Sequence, residues 1–254
     1  MVLPASCEIF WQFLQYSDVF CILVVMIAAV ESSLDRSAIE QVVRAVLEDQ
    51  WSKGAGPAPL ANGGHNPLLV NVSARHIHVN QQALETLFGS GASLSKMRDL
   101  YQEGEFASEQ LLNIVGPRNR MIPNVRILGP TRDYTQVELS YTDGIFLGID
   151  LPLRISGNHQ GTPGCVLVGP AGALALDRGV IRAERHVHMH PNDAAHYGVS
   201  DGDHMKLRID GPCGMTFDRM RIRVHPRVKL EVHIDTDEGN ACHLGSATGM
   251  DLIK

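Results

Sequence analysis

The apolar positions of this chain fall into distinct regimes. From Phe20 to Val30 they form an unbroken run, and Ile9 to Leu14 add a shorter one. The run is short for a membrane span, which needs ~20 apolar residues. No Lys or Arg precedes it, as a secretory signal would require. Residues 1–33 are therefore expected to be a peripheral hydrophobic segment, or a product of start-site choice with translation beginning at Met26. Leu34, Ile39, Val42, Val43, Val46 and Leu47 then recur at helical spacing, while Asp35, Arg36, Glu40, Arg44, Glu48 and Asp49 take the other face. This predicts an amphipathic helix over 34–51. Ser52 to Asn66 is rich in Gly, Pro, Ala and Asn, which is linker composition. A short helix on such a tether serves either as a docking tag or as a piece packed on the main body.

From Pro67 onward the pattern is that of short strands. Leu68 to Val72 reads as a mostly buried strand leading into Arg75-His76. Asn80 is suited to cap a helix over Gln81–Phe88 that closes at Gly89. Further strands are expected at Gln110–Val115, Asn124–Leu128 and Gln136–Tyr141, where Val137, Leu139 and Tyr141 alternate with Glu138 and Ser140. Thr142-Asp143 is expected to cap a short helix through Ile149. Cys165–Val168 and Ala173–Leu176 flank the turn signal Gly169-Pro170-Ala171-Gly172. Val180–Arg185 leads into His186, and Pro191–Tyr197 reads as a helix with Pro early and Gly198 past its end. Met205–Ile209, Met215–Val224 and Val228–Ile234 are the remaining strands, with Thr236-Asp237 capping a final turn that holds Asn240 and His243.

The bulk numbers fit this picture. The 24 glycines, 13 prolines and 6% aromatic content suit many strands joined by tight turns. A net charge of −6 and no basic stripe argue against a nucleic-acid partner. Five cysteines without a Cys-x-x-Cys pair point to a reduced, intracellular protein.

Two stretches stand out, Arg75-His76-Ile77-His78 and Arg185-His186-Val187-His188. On a strand, residues i and i+2 share a face, so each pair of imidazoles forms half a metal site. Glu138 and His233 each sit opposite to their apolar neighbours, as inward ligands would. The candidate donor sets are His76, His78 and Glu138, and His186, His188 and His233. Imidazole with carboxylate suits zinc or another divalent transition metal. Aligning Val125-Arg126-Ile127 with Ile222-Arg223-Val224, and Thr142-Asp143 with Thr236-Asp237, leaves Glu138 and His233 one position apart, so a bulge or slip is expected there. The repeat predicts a mainly β fold: two related small β-barrels capped by short α-helices, over 67–157 and 158–254, with exchange of strands between them allowed.

Arg132 follows Gly129-Pro130-Thr131 on a turn near Glu138, and guanidinium is suited to phosphate or carboxylate. Arg118, Arg120 and Arg126 add local positive charge for a polyanionic ligand. No Gly-x-Ser-x-Gly, P-loop or dinucleotide fingerprint is present, which leaves metal-assisted attack by a bound nucleophile.

Val72 to His78, Val125 to Arg132, Gln136-Val137-Glu138, Ile155-Ser156-Gly157, Arg185 to Met189 and Val232 to Glu238 resemble the PduL-type phosphate propanoyltransferases, the phosphotransacylases of bacterial microcompartments. The resemblance runs from about Leu69 to about His243. It implies two β-barrel domains with two zinc ions per subunit, one held by His76, His78 and Glu138 and the other by His186, His188 and His233. It further implies that Arg132 binds inorganic phosphate, and that Val72, Ser73, Ala74, Arg126 and Asn240 hold coenzyme A. A family lysine that contacts coenzyme A falls near Arg118, and the family's usual Glu-Ala-Asn is Glu238-Gly239-Asn240 here. The implied reaction interconverts propanoyl-CoA plus phosphate with propanoyl phosphate plus CoA. The implied setting is a microcompartment lumen or the cytoplasm, with shell or cargo proteins as partners and a homo-oligomeric enzyme. Leu34 to Trp51 is similar in type to an encapsulation peptide. The rival readings are a metal-dependent hydrolase, which also uses His-x-His, and a non-catalytic metal-binding microcompartment component.

Overall fold

A computed structural model describes residues 67–254. The hydrophobic segment expected over 1–33, and the amphipathic helix and linker expected over 34–66, lie outside the described residues. Those described form a mainly β protein of two curled, half-barrel sheets with four short helices.

The first strands are β1 (Val70–Ser73), β2 (His76–His78), β3 (Lys96–Asp99), β4 (Phe106–Val115), β5 (Met121–Gly129), β6 (Gln136–Glu138) and β7 (Leu153–Arg154). They are followed by β8 (Cys165–Val168), β9 (Ala173–Leu176), β10 (Val180–Ala183) and β11 (His186–Met189). The last are β12 (His204–Asp210), β13 (Met215–Val224), β14 (Glu231–Asp235) and β15 (Gly249–Ile253). The helices are α1 (Gln81–Phe88), α2 (Tyr141–Leu147), α3 (Pro191–Tyr197) and α4 (Thr236–Ala241). One sheet has the order β1-β14-β11-β13-β12-β15. The other runs β7-β10-β6-β2-β5-β4-β8-β9, with β3 attached to β4.

Each sheet has its own core. Ile77, Ile127 and Val137 are fully buried in one cluster, and Val187, Ile222 and Val232 in another. Ile77, Val137, Val187 and Val232 are the apolar neighbours of the candidate ligands, and Ile127 and Ile222 stand beside Ile77 and Val187 on the adjoining strands. Strand alternation therefore drives the hydrophobic residue into a core and leaves the polar ones on the opposite face.

The strands do not divide at residue 157. β8, β9 and β10, from the second half of the body, belong to the nine-stranded sheet, and β1, from the first half, belongs to the six-stranded one. The exchange is reciprocal. β1 precedes the first Arg-His-x-His and pairs in parallel with β14, while β10 precedes the second and pairs in parallel with β6.

The helix caps correct two expectations. Ser140, not Thr142, caps α2 in a capping box with Asp143. Asp235, not Thr236, caps α4 in a capping box with Glu238. In both cases the cap residue is in extended geometry and its side chain reaches the N3 amide, so helix begins at the next residue. Asn80 caps α1 as expected, its Oδ1 accepting from Ala83 N at 2.8 Å. Val72 is 39% exposed, so β1 is buried at Val70 but not throughout.

Candidate metal centre and anion site

Aligned by these caps, the two halves need no slip. On the antiparallel ladder of β2 and β6, His76 faces Glu138, Ile77 faces Val137 and His78 faces Gln136. On that of β11 and β14, His186 faces His233, Val187 faces Val232 and His188 faces Glu231. Glu138 and His233 thus occupy the same point of the repeat, each two residues before its cap. The parallel neighbours also correct the alignment of arginines: Arg126 lies beside His76 and Arg221 beside His186, so Arg221, not Arg223, is the counterpart of Arg126.

The register brings six side chains into two triads. His76, His78 and Glu138 place their donor atoms within 4.8 Å of one another, and so do His186, His188 and His233. The first triad is buried, with His76 Nε2 at 3.5 Å and His78 Nε2 at 4.0 Å from the Glu138 carboxylate. The second is half-buried. His76 Nδ1 donates to Ala74 O at 2.8 Å and His186 Nδ1 to Glu184 O at 2.7 Å. Each bond fixes the tautomer and leaves Nε2 with a free lone pair, which is how ligating histidines are held.

Electrostatics favour the same use. Burial, followed by the charge of His76 and of Arg132, lowers His78 to about 3. Burial and the neighbouring imidazoles lower His188 to about 2, and burial with His233 lowers His186 to about 4. Burial alone would raise the carboxyl of Glu138, but His76, His78 and His186 hold it below the usual carboxylate range. Near neutral pH the three imidazoles are therefore neutral and the carboxylate ionised, the states in which these groups coordinate metal. The donor set fits zinc.

Arg132 lies on the loop after β5. Its guanidinium donates to Tyr134 Oη at 3.0 Å and Ser156 Oγ at 3.4 Å and lies 3.5 Å from a Glu105 oxygen. Its charge acts on His78 of one triad and His188 of the other. A small cavity beside the ligands is lined by Ser73, Glu138, Glu184, His186, His233 and Asp235.

The remaining expected site residues are spread out. Val72 and Ser73 end β1, and Ala74 bridges to β2. Arg126 donates to Ser108 O. Asn240 is exposed on α4. Arg118 donates to Ile145 O at 2.8 Å on the turn that packs against α2.

Supporting residues that the sequence pattern does not single out are Gln136, Ser156 and Glu231. Gln136 Nε2 donates to Glu138 Oε1 at 2.6 Å and to Ser156 Oγ at 2.8 Å. Glu231 accepts from Asn71 and lies 3.1 Å from His233 Nε2. Period-2 alternation puts Gln136 and Glu231 on the face of the ligand two residues later, but a solvated polar residue has the same spacing, so it does not mark them.

Paired half-barrels present two donor triads and an arginine suited to anions, which is the construction of a site for anionic substrates. A family profile described as phosphate propanoyltransferase matches residues 69–245. The chain is 54% identical to a phosphate propanoyltransferase of Planctopirus limnophila over 89% of this chain and 95% of that protein. It is 48% identical to one of Thermotoga maritima over 74% and 89%, and 44% identical to one of Salmonella typhimurium over 82% and 92%. The chain belongs to the phosphate propanoyltransferase family, and is an acyltransferase.

Proposed function

We propose that this protein transfers a propanoyl group between coenzyme A and inorganic phosphate at a dinuclear zinc centre, with each sheet closing as a small β-barrel that presents the donors for one ion. The observation that carries the proposal is the matched pair of triads, whose donors converge within coordinating reach and in which His78, His186 and His188 are kept neutral. His76, His78 and Glu138 would hold one ion, and His186, His188 and His233 the other. Zinc so held would supply a Lewis acid for the thioester carbonyl and a soft partner for the departing thiolate.

The residues of the chain do the rest. Arg132 binds phosphate through its forked guanidinium, braced by Tyr134 and Ser156. Its placement turns a chance encounter into an oriented attack. A phosphate oxygen forms the new bond to the acyl carbon, the carbon–sulfur bond breaks, and coenzyme A leaves as thiolate. Val72, Ser73, Ala74, Arg118, Arg126 and Asn240 are the coenzyme A contacts in this reading, Ser73 on the wall of the cavity. No acyl-enzyme is required. A coupled assay with acetyl-, propanoyl- and butanoyl-CoA on metal-analysed protein tests the proposal: phosphate-dependent CoA release by protein holding two zinc ions is expected. Turnover undiminished in metal-free protein would overturn it.

The N-terminal segment completes the proposal. A docking helix within 34–51 would place the enzyme, as a homo-oligomer, among the shell and cargo proteins of a microcompartment. Deleting residues 1–60 is expected to preserve turnover and abolish packaging, measured by co-purification with shells. Continued packaging would count against the role.

A further inference from the structure

The two halves differ in one informative respect. The position facing the second histidine of each His-x-His is Gln136 in one sheet and Glu231 in the other. Where the ligand two residues on is the carboxylate of Glu138, its supporter is an amide that donates to it at 2.6 Å. Where the ligand is the imidazole of His233, its supporter is a carboxylate, whose Oε2 lies 3.1 Å from Nε2. Donor and acceptor have exchanged together with the ligand type.

Glu231 is 3% exposed. Asn71 Nδ2 donates to its Oε1 and Gln102 Nε2 to its Oε2, each at 2.6 Å. Gln102 is itself fixed, its amide bonding to both N and O of Lys229 at 3.0 and 3.1 Å. Among the described residues no Lys or Arg forms an ion pair with Glu231; His233 alone stands at that distance. A buried carboxylate surrounded by neutral donors is costly unless positive charge lies close by. A ligating imidazole is the route by which a cation one step further on could supply it.

We infer that Glu231 is a positioning residue for the second ion: its Oε2, 3.1 Å from a His233 Nε2 that has no other partner and not yet in hydrogen-bond alignment with it, takes Nε2–H when the ring turns its Nδ1 lone pair to the metal. The inference rests on the dinuclear reading. A carboxylate behind a ligating histidine fixes ring orientation and raises ligand basicity, and its loss typically costs 10–100-fold in metal affinity.

The test is zinc content by elemental analysis, with chelator competition, on wild type, Glu231→Gln and Glu231→Asp, together with the visible spectrum of cobalt-loaded protein. Glu231→Gln keeps the shape but replaces a carboxylate oxygen with an amide. It is expected to weaken one of two ions roughly 10–100-fold, leave the other at wild-type affinity and alter the bands of only one cobalt. Glu231→Asp should recover part of the loss, as a packing role alone would not predict. Should Glu231→Gln fail to fold, Gln102→Ala carries the test, with a smaller loss expected at the same ion. Wild-type affinity for both ions in a folded variant would overturn the inference and leave the dinuclear reading standing. Fewer than two ions in wild type would overturn that reading and the inference with it.

Discussion

Arg132 combines exposure and charge with a position from which it acts on both triads. Its side chain is 28% exposed, so ligand can reach it, yet two hydroxyls and a carboxylate hold it in place. Arg132→Ala removes the fork and leaves all six metal donors. It is expected to lower phosphate-dependent transfer roughly 100-fold or more with zinc content unchanged; unchanged turnover would remove Arg132 from the role. The histidines make a second prediction. Folded, His78, His186 and His188 titrate at about 3, 4 and 2, against an ordinary 6.5. As pH falls, the unfolded chain takes up these protons first, so acid favours unfolding. Glu138, held below its ordinary 4.5, adds a loss of the same sign. Metal-free protein should be most stable above about 6.5 and lose stability progressively from there toward pH 4 and below. Urea midpoints of chelator-treated protein at neutral and mildly acid pH check this, and a midpoint that rises on acidification would contradict it. At this scale the sequence was informative. Alternation alone put His76, His78, His186 and His188 on shared faces and turned Glu138 and His233 away from their apolar neighbours. It did not reveal Glu231 or Gln136, because a buried supporter and a solvated polar residue have the same spacing.

The helices after β6 and β14 show how elements secure those residues. Each has its cap two residues beyond a ligand, so the cap fixes the end of the ligand strand. Each cap region is also tied to the chain entering the next sheet: Arg75 pairs with Asp143 at 3.2 Å, and Arg185 with Glu238 at 3.1 Å. Asp235 carries a further duty, accepting from Arg182 Nε at 2.7 Å. Ser140→Ala should therefore cost about 1 kcal/mol, the usual worth of a cap. Asp235→Ala should cost more, since it also strips a partner from a partly buried arginine. Denaturant midpoints measure both, and equal losses would show that the Arg182 pair contributes nothing. The caps also explain the apparent slip in the repeat. Thr142-Asp143 and Thr236-Asp237 are alike in letters but not in role, since capping depends on the geometry of Ser140 and Asp235. Where local chemistry is decisive the elements were legible, as in α1 with Asn80 and the hairpin of β8 and β9 around Gly169-Pro170-Ala171-Gly172. Where it is not, they were missed. β3, over Lys96–Asp99, is exposed at every position and has no apolar alternation to read.

At the scale of the whole body, the reciprocal exchange is the feature that no local pattern could supply, because strand partners are chosen by long-range packing. β1 and β10 each enter the sheet of the other half and lie directly beside a ligand strand, β14 and β6 respectively. In register, Asn71 stands beside His233, and Ile181 beside Glu138. Cutting the chain at 157 would therefore strip β10 from β6 and β1 from β14, exposing the unpaired edge of each ligand strand. Such edges lose backbone hydrogen bonds and invite aggregation. Fragments 67–157 and 158–254, expressed separately, are expected to be insoluble or unfolded and to bind no zinc. Co-expression is expected to restore some soluble protein, because the exchanged strands then have partners. Circular dichroism and size-exclusion chromatography distinguish the cases. A fragment that folds alone and binds one ion would show that each triad can be built without the other half. The exchange predicts the opposite: each triad forms only when both copies of the repeat are present, since each ligand strand is completed by the segment that leads into the other copy's histidines.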